Sequence, residues 1–401
     1  MKRIGIVVGV TVLFISVVWL YFLEMYPLSS PLLSMQYFIE HEINPHRNLT
    51  KYVFGFLPYW DLDDIQYIRP TDMSEINYFS LSVGNDGHLV TVTNGQTDPG
   101  WNGWEQQSTK NFITESQIMG TKVTLTVAAQ QNSLIESVLN SNTAQQNLIS
   151  DIITQVTQRR LNGVNLDFEY SGTPDTIYQQ DFSYFSKKLA SQLKKQNPKS
   201  TLTLSILPFS TQQTGLFDFS QLVHVYDHFI GMSYDYYAQN SSVAGPAAPL
   251  YGFTQGKYFF DVSTTYSYFL KYIPKNKLLM GIPYYGWEWA VENGSTINSQ
   301  TLSPDNPNSY AAIISYARYR TDTDIKQNQC QWESYAQESW CWFTDKQTGI
   351  DHQIWPMDNK AIQVRFNYAN NQNFAGIAIW TLGIDKNYPD LWNELQTTFS
   401  K

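Results

Sequence analysis

The sequence contains few charged residues and no long run of Lys and Arg. Charged side chains make up 15% of the 401 residues, and the formal net charge is −9. Typical soluble domains contain about a quarter charged residues. Because proteins that bind nucleic acids present clustered cations to the phosphates, this charge balance argues against a nucleic-acid partner.

Cysteine is also scarce, since only Cys330 and Cys341 occur, close together in a stretch rich in Trp and Tyr. Nothing in this pair resembles a metal site with cysteine ligands. In an exported chain, two neighbouring cysteines favour a local disulfide, and two buried free thiols are the alternative. The sequence therefore predicts no metal and no cofactor.

A long apolar run stands at the start of the chain. Two basic residues precede the segment from Ile4 to Leu23, which has about the 20 residues that a membrane-spanning helix needs. A cleaved secretory signal has a shorter apolar core and a small-residue cleavage site, whereas bulky residues follow here. Residues 1–24 are predicted to be a signal anchor, with a cleaved signal as the alternative.

The remainder of the chain divides into a linker and one large domain. Residues 25–50 mix Pro, Ser and polar residues with short apolar pieces and are predicted to form a linker. The basic residues before the apolar run favour an extracytoplasmic position for everything after it. The domain, residues 51–401, is then tethered outside the membrane, or secreted if the signal is cleaved.

Within this domain, β-branched or aromatic runs alternate with amphipathic stretches of helical length, which is typical of βα units. The predicted strands are Tyr52–Leu57, Ile76–Val83, Lys122–Ala128, Gly163–Phe168, Thr201–Leu207, His228–Asp235, Leu278–Tyr284 and Ala375–Thr381. Eight strands favour a closed (β/α)8 TIM barrel over an open doubly wound sheet. The open sheet should carry a glycine-rich loop after its first strand, whereas Pro58, Tyr59 and Trp60 stand there.

One segment interrupts the alternation. Residues 285–374 separate the seventh and eighth predicted strands and contain both cysteines. A stretch with helical spacing, Tyr310–Arg320, lies inside it. We expect a small α+β insertion on the loop face of the barrel.

The fourth predicted strand carries the candidate chemistry. Its side chains alternate, so that apolar and polar residues point to opposite faces. In a barrel strand the polar set, Asn165, Asp167 and Glu169, would face the interior, where it needs hydrogen bonds. Asp167 and Glu169 fall at the carboxyl end of the strand, where barrel enzymes place catalytic groups. A two-faced strand of an antiparallel sheet is the alternative.

Two carboxylates on one face of a strand have Cα atoms about 7 Å apart and approach a substrate from the same side. Most retaining glycosidases need two carboxylates that flank the scissile bond. Two carboxylates on one side of the bond would have other roles in the reaction. Glu169 would protonate the leaving oxygen. Asp167 would position a nucleophile that belongs to the substrate, such as the 2-acetamido group of an N-acetylhexosamine. Burial and the charge of Asp167 would raise the pKa of Glu169.

The stretch Gly163–Glu169 resembles the DGxDxDxE signature of glycoside hydrolase family 18, the chitinase family. Further similarities follow in the family's order over nearly the whole chain after the linker, at Met232–Asp235, Gly281–Gly286 and Gly376–Asp385. Phe79–Gly87 and Gly245–Gly252 are similar to the bacterial branch that includes spore-cortex and spore-germination hydrolases. The order and spacing of these motifs together are specific.

This resemblance implies roles for residues at matching positions. Glu169 would be the general acid and base, Asp167 would orient the acetamide and stabilise an oxazolinium intermediate, and Tyr234 would donate to the acetamide carbonyl. The residues implied to bind the substrate are Asn165, Asp235, Trp380, Trp60 and Phe56. For Phe56, packing in the core is an equal alternative.

The sequence departs from the family pattern at two points. Asn165 stands where the family has an aspartate that shares a proton with the next one. It could hydrogen-bond Asp167, and its neutral amide should lower the negative field on Glu169. On the third strand, Val127–Gln130 replaces the family's Ser-x-Gly-Gly, which predicts a reshaped cleft.

The resemblance implies a monomeric enzyme that hydrolyses a polysaccharide containing N-acetylglucosamine. Chitin fragments, peptidoglycan and N-linked glycans are the candidate substrates. The alternatives are a non-catalytic sugar-binding protein on the same fold and a structural surface protein with a vestigial cleft. Retention of Glu169, Asp167 and Tyr234 favours the enzyme.

Overall fold

In a computed structural model that describes residues 49–211, 215–325 and 330–400, eight parallel strands form a closed barrel, which confirms the predicted fold class. The strands are β1 (Tyr52–Pro58), β2 (Glu75–Ser82), β3 (Lys122–Ala129), β4 (Gly163–Phe168), β5 (Thr201–Ile206), β6 (His228–Gly231), β7 (Leu278–Pro283) and β8 (Gly376–Trp380). Each strand pairs with the next one along the chain, and β8 closes the barrel on β1.

The described α-helices are α1 (Pro99–Glu105), α2 (Gln107–Ile118), α3 (Asn132–Leu139), α4 (Asn142–Gln158), α5 (Thr176–Gln196), α6 (Phe219–Leu222), α7 (Val262–Phe269), α8 (Tyr316–Thr321), α9 (Asn359–Asn371) and α10 (Asp390–Phe399), with 3-10 helices at Tyr59–Tyr67, Pro70–Asp72 and Lys275–Lys277. Helix α4 shows why such segments are helical. Leu148, Ile152 and Val156 recur every four residues and are buried. The Ser141 side chain accepts a hydrogen bond from the Ala144 amide and caps the first turn.

The core has two layers on either side of the barrel wall. On β4, Val164, Leu166 and Phe168 belong to the apolar layer between the strands and the helices. The Phe168 ring lies 5.8 Å from that of Phe182 on α5. Inside the barrel, a small apolar cluster is formed by Phe54, Phe56, Phe79, Ile230, Leu279 and Ala378. The remaining interior is polar, so β4 presents an apolar and a polar face, as its alternation predicts.

Residues between β7 and β8 form a separate antiparallel sheet. In spatial order its strands are Ala311–Ser315, Tyr285–Val291, Asp351–Trp355, Glu338–Thr344 and Gln331–Glu333. A disulfide joins Cys330 to Cys341 with an S–S distance of 1.99 Å, which confirms the predicted pairing.

The predicted helix Tyr310–Arg320 was partly wrong. Residues Ala311–Ser315 form a strand that pairs with Tyr285–Trp289, and the helix begins only at Tyr316. Helical spacing is a local signal, and here it was overridden by pairing with a distant strand. Ser315 then caps the helix by accepting from the Arg318 amide.

The predicted signal anchor, residues 1–24, and nearly all of the predicted linker, 25–50, lie outside the described residues. Within the described ranges, no helix combines the length and apolar character needed to cross a membrane.

Candidate active site

Strand β4 and the residue after it bring two carboxylates to one cavity. Asp167 is the penultimate residue of β4 and only 1% exposed. Glu169 follows β4 directly, and its backbone N–H donates to the carbonyl of Ala129 at 2.9 Å. Both side chains line a cavity of about 590 Å³ above the carboxyl ends of the strands. This is the position that the sequence predicts for them.

The two carboxylates are electrostatically linked. Burial, and then the charge of Glu169, raises the pKa of Asp167 well above its ordinary value. Burial also raises the pKa of Glu169, while a hydrogen bond from Gln130 acts in the opposite direction. The pair therefore favours keeping a proton in a range where free carboxyl groups are ionised.

Asp167 has an acceptor that the protein leaves open. Its Oδ1 is buried and has no hydrogen-bond partner among the described residues. A buried polar atom without a partner carries a free-energy cost of about 1–3 kcal/mol. A ligand with an N–H or O–H donor at the floor of the cavity would remove that cost.

Aromatic rings form one wall of the cavity. Tyr234 and Trp380 stack with an interplanar angle of 4° and centroids 6.2 Å apart. The edges of Phe56 and Phe79 pack against Trp380, with centroids 5.4 and 4.7 Å away. Trp60 is 54% exposed and its ring lies 6.2 Å from Trp380. A flat apolar surface of this kind can receive the face of a pyranose ring.

Tyr234 stays protonated across the physiological range. Burial, followed by the charge of Asp167, raises the pKa of its phenol. The hydroxyl is thus available as a hydrogen-bond donor beside the two carboxylates.

Asp235 is held by the insertion. Strand β6 ends at Gly231, four residues before the predicted end, and Asp235 takes a left-handed conformation with φ 57°. Its carboxylate accepts hydrogen bonds from the Tyr285 hydroxyl at 2.8 Å and from Trp287 Nε1 at 2.9 Å. Burial raises its pKa, and these two donors partly oppose that rise. The early end of β6 places Asp235 on a loop that lines the cavity.

Asn165 lies elsewhere than its predicted role requires. Its side chain is fully buried inside the barrel and does not line the cavity. Its Nδ2 donates to Thr126 Oγ1 at 3.1 Å and to Ser205 Oγ at 3.0 Å, and its Oδ1 accepts from Thr203 at 2.9 Å. Because hydroxyl groups of β3 and β5 take up the amide, the described contacts of Asn165 do not include the expected hydrogen bond with Asp167.

The other residues singled out from the sequence all line the cavity, including Phe56, although only 2% of Phe56 is exposed. Sequence reasoning missed further lining residues, among them Gln130, Phe209 and Phe259. The signal for Gln130 was its place two residues after the predicted strand Lys122–Ala128, within the segment Val127–Gln130 that departs from the family pattern. No local signal separates Phe209 and Phe259 from the many other aromatic residues.

Within the part of the chain that the structure describes, no group of three or more His, Cys, Asp and Glu residues is arranged to hold a metal ion.

Comparison with known proteins gives a consistent result. The family profile described as glycosyl hydrolases family 18 matches residues 34–385. The putative sporulation-specific glycosylase YdhD of Bacillus subtilis is 24% identical over 346 residues, which is 84% of this chain and 73% of that protein. The cortical fragment-lytic enzyme of Bacillus subtilis is 23% identical over 72% of this chain, and the match spans only 62% of that enzyme.

Among solved structures, the chitinase from Cycas revoluta in complex with (GlcNAc)3 superposes with a TM-score of 0.70. The sequences are 14% identical, and the match covers 86% of this chain and 99% of that one. At this identity the similarity concerns the fold.

Proposed function

The chain belongs to family 18 of the glycosyl hydrolases, and from this membership we propose that it hydrolyses β-linked N-acetylhexosamine glycans by a retaining mechanism in which the substrate supplies the nucleophile. The expectation of a glycoside hydrolase is thereby confirmed. The assignment of individual residues and of the glycan belongs to the proposal.

One observation carries the mechanism. Asp167 and Glu169 enter the same cavity from one strand, with Tyr234 and Trp380 beside them. Because they lie on a single strand, Asp167 and Glu169 approach the scissile bond from the same side, so Asp167 is not placed as the nucleophile across that bond from Glu169. An acetamido group of the sugar can take that place.

In the first step, the Glu169 carboxyl gives its proton to the glycosidic oxygen. The bond from C1 to that oxygen breaks, and its electron pair stays with the leaving sugar. The acetamide carbonyl oxygen of the same sugar forms a bond to C1 and yields an oxazolinium ion. Asp167 accepts a hydrogen bond from the acetamide N–H through its open Oδ1, and the Tyr234 hydroxyl donates to the acetamide oxygen.

In the second step, the Glu169 carboxylate takes a proton from water while the water oxygen attacks C1. The bond from C1 to the acetamide oxygen breaks, and the acetamide is restored. Two displacements at C1 retain the anomeric configuration. The mechanism requires a protonated Glu169 at the start of the cycle, and the upward shift of its pKa by burial is in the direction that this requires.

The relatives support a polymer that contains N-acetylglucosamine. A superposing chitinase binds (GlcNAc)3, and two bacterial relatives carry names that refer to sporulation and to cortical fragments. We favour peptidoglycan over chitin on the strength of those bacterial relatives.

The test of catalysis is release of a fluorophore from an N-acetylglucosamine oligomer conjugate. We expect Glu169→Gln to lower kcat at least about 100-fold with little change in KM, because the amide cannot donate the proton but keeps the shape of the side chain. NMR of the first product should show the β anomer.

Three outcomes would contradict this assignment. They are undiminished turnover by Glu169→Gln, an α product, and absence of turnover by the unmodified chain. Absence of turnover together with saturable binding of the oligomer would instead support the sugar-binding alternative.

We further propose that the domain is monomeric and lies outside the cytoplasm, tethered by residues 1–24. The apolar run behind two basic residues supports the tether. Light scattering of residues 49–401 should give the mass of one chain.

A further inference from the structure

The segment after β3 lies beside the end of β4 because the two strands are paired in register. Ala129 is opposite Phe168, and the Glu169 backbone N–H donates to the Ala129 carbonyl at 2.9 Å. Gln130, the residue after β3, therefore lies next to Glu169, the residue after β4. Their closeness follows from backbone pairing.

A second set of contacts fixes the same two loops further out. Asn132 Nδ2 donates to the Ser171 carbonyl at 2.7 Å, and the Ser171 N–H donates back to Asn132 Oδ1 at 2.9 Å. Gln130 and Glu169 lie between this reciprocal pair and the backbone bond at Ala129. Hydrogen bonds on both sides thus fix the backbone positions of Gln130 and Glu169.

Within this frame, Gln130 Nε2 donates to Glu169 Oε1 at 3.1 Å. No other hydrogen bond to the Glu169 side chain occurs within the described residues. Because Oε1 accepts from Gln130, an acidic proton on Glu169 belongs on Oε2. Gln130 also lines the cavity, so a bound substrate would shield this hydrogen bond from water.

We propose that Gln130 is a positioning residue for proton transfer. It keeps the acidic proton on Oε2 of Glu169 and stabilises the carboxylate that forms when the proton leaves. This inference rests on the proposed function of Glu169. It also gives a purpose to the third-strand segment Val127–Gln130, whose sequence departs from the family pattern.

Several other titratable groups surround Glu169 and must be considered in its pH dependence. Asp167 lies on the same strand, and Tyr234 and Asp235 come from the loop after β6. Tyr170 follows Glu169, but its hydroxyl donates to Glu136 on α3 at 2.5 Å. None of these groups changes when Gln130 is replaced, so a difference between variants reports the Gln130 contact.

The experiment compares Gln130→Met with Gln131→Met. Methionine nearly preserves the length of glutamine and removes its donor. Gln131 is the exposed neighbour, does not line the cavity and makes no side-chain cap to helix α3. The variant Gln130→Glu adds a carboxyl group that can donate only at low pH.

For Gln130→Met, we expect kcat to fall about three- to tenfold with KM little changed. The alkaline limb of the pH profile of kcat should move up by about half to one unit, because the Glu169 carboxylate loses a donor and its pKa rises. Gln131→Met should leave both quantities unchanged. Gln130→Glu should move the limb further up and retain more activity at acidic than at neutral pH.

An alkaline limb that stays in place in Gln130→Met would overturn the proposal, even if kcat falls, because a purely structural role lowers kcat without moving the limb. The pKa of Glu169 should also be measured directly by carboxyl 13C NMR, with its signal identified by its absence from Glu169→Gln. This measurement does not depend on turnover. Absence of activity in the unmodified chain would therefore contradict the proposed function. A pKa of Glu169 that is the same in Gln130→Met as in the unmodified chain would contradict the role of Gln130.

Discussion

Single residues on β4 differ in what they can do, although they share one face. Asn165 is bound by three hydroxyl-bearing side chains inside the barrel, whereas Asp167 one step higher keeps an open acceptor. The polar face of the strand is thus divided into a lower part that is hydrogen-bonded inside the barrel and an upper part that lines the cavity. The difference arises because hydroxyl-bearing side chains of the neighbouring strands contact Asn165, whereas none contacts Oδ1 of Asp167 among the described residues.

The neutral charge of Asn165 has a testable consequence. In Asn165→Asp, the hydroxyls of Thr203 and Ser205 can donate to the new carboxylate and stabilise its charge, whereas the Thr126 hydroxyl donates to Asn77 Oδ1. The added negative charge raises the pKa of Asp167 and of Glu169, so the protonated form of Glu169 persists to higher pH. We expect the alkaline limb of kcat against pH to move up by as much as about one unit. A limb that does not move, in a variant that folds normally by circular dichroism, counts against this account.

At the scale of elements, a buried ion pair joins the insertion to the barrel. Arg365 on α9 and Glu338 on the strand Glu338–Thr344 are both fully buried and 2.6 Å apart. Arg365 also donates to the Ala248 carbonyl, and the Ala248 amide donates back to Glu338 at 3.1 Å. The loop Gly245–Gly252, singled out by sequence similarity, is therefore held where a helix, an insertion strand and the loop meet.

Removing one member of this pair should be costly. Arg365→Met leaves Glu338 buried without its cation, and we expect a loss of about 3–5 kcal/mol in the free energy of unfolding. The matched control is Lys110→Met, which breaks an exposed pair with Glu105 and should cost less than about 1 kcal/mol. Chemical denaturation of each variant provides the measurement.

The double variant Arg365→Met with Glu338→Met sharpens that comparison. It removes both buried charges and should recover much of the lost stability. Equal losses for Arg365→Met and Lys110→Met would show that the buried pair is not a principal link between insertion and barrel.

At the scale of the whole molecule, the chain enters at the opposite end of the barrel from the cavity. Leu49 bridges to Ser400, and the Thr50 amide donates to the Phe399 carbonyl, just before β1 begins. The cavity lies above the carboxyl ends of the strands. The segment toward the proposed tether therefore joins the described domain at the end of the barrel opposite the cavity.

This arrangement predicts where the activity is found. Intact cells that express the full chain should hydrolyse an N-acetylglucosamine polymer too large to enter them. If residues 1–24 form the proposed anchor, the activity should stay with the membrane fraction after a high-salt wash, because an apolar membrane-spanning segment is not released by screening of charges. Replacing residues 1–24 by a cleavable secretion signal should transfer the activity to the medium.

Two results would contradict the tethered location. Activity that appears only after the cells are lysed would place the domain inside, and activity of the unmodified chain in the medium would indicate that the signal is cleaved.

The sequence by itself predicted the alternation of strands and helices and the two faces of β4, because an alternation with a period of two residues and helical spacing are local properties. It also placed Asp167 and Glu169 on one face, since that follows from strand geometry alone. The sequence favoured a disulfide between Cys330 and Cys341, with two free thiols as the alternative, and the structure confirms the disulfide.

Only the tertiary structure decided which groups surround those carboxylates. Three sets of hydrogen bonds illustrate this. They are those of Asn165 inside the barrel, those from Tyr285 and Trp287 to Asp235, and the one from Gln130 to Glu169. Each joins residues about 40 to 50 positions apart. The strand Ala311–Ser315 likewise exists through its pairing with Tyr285–Trp289. Such contacts depend on strand register and on the closure of the barrel, which no local pattern encodes.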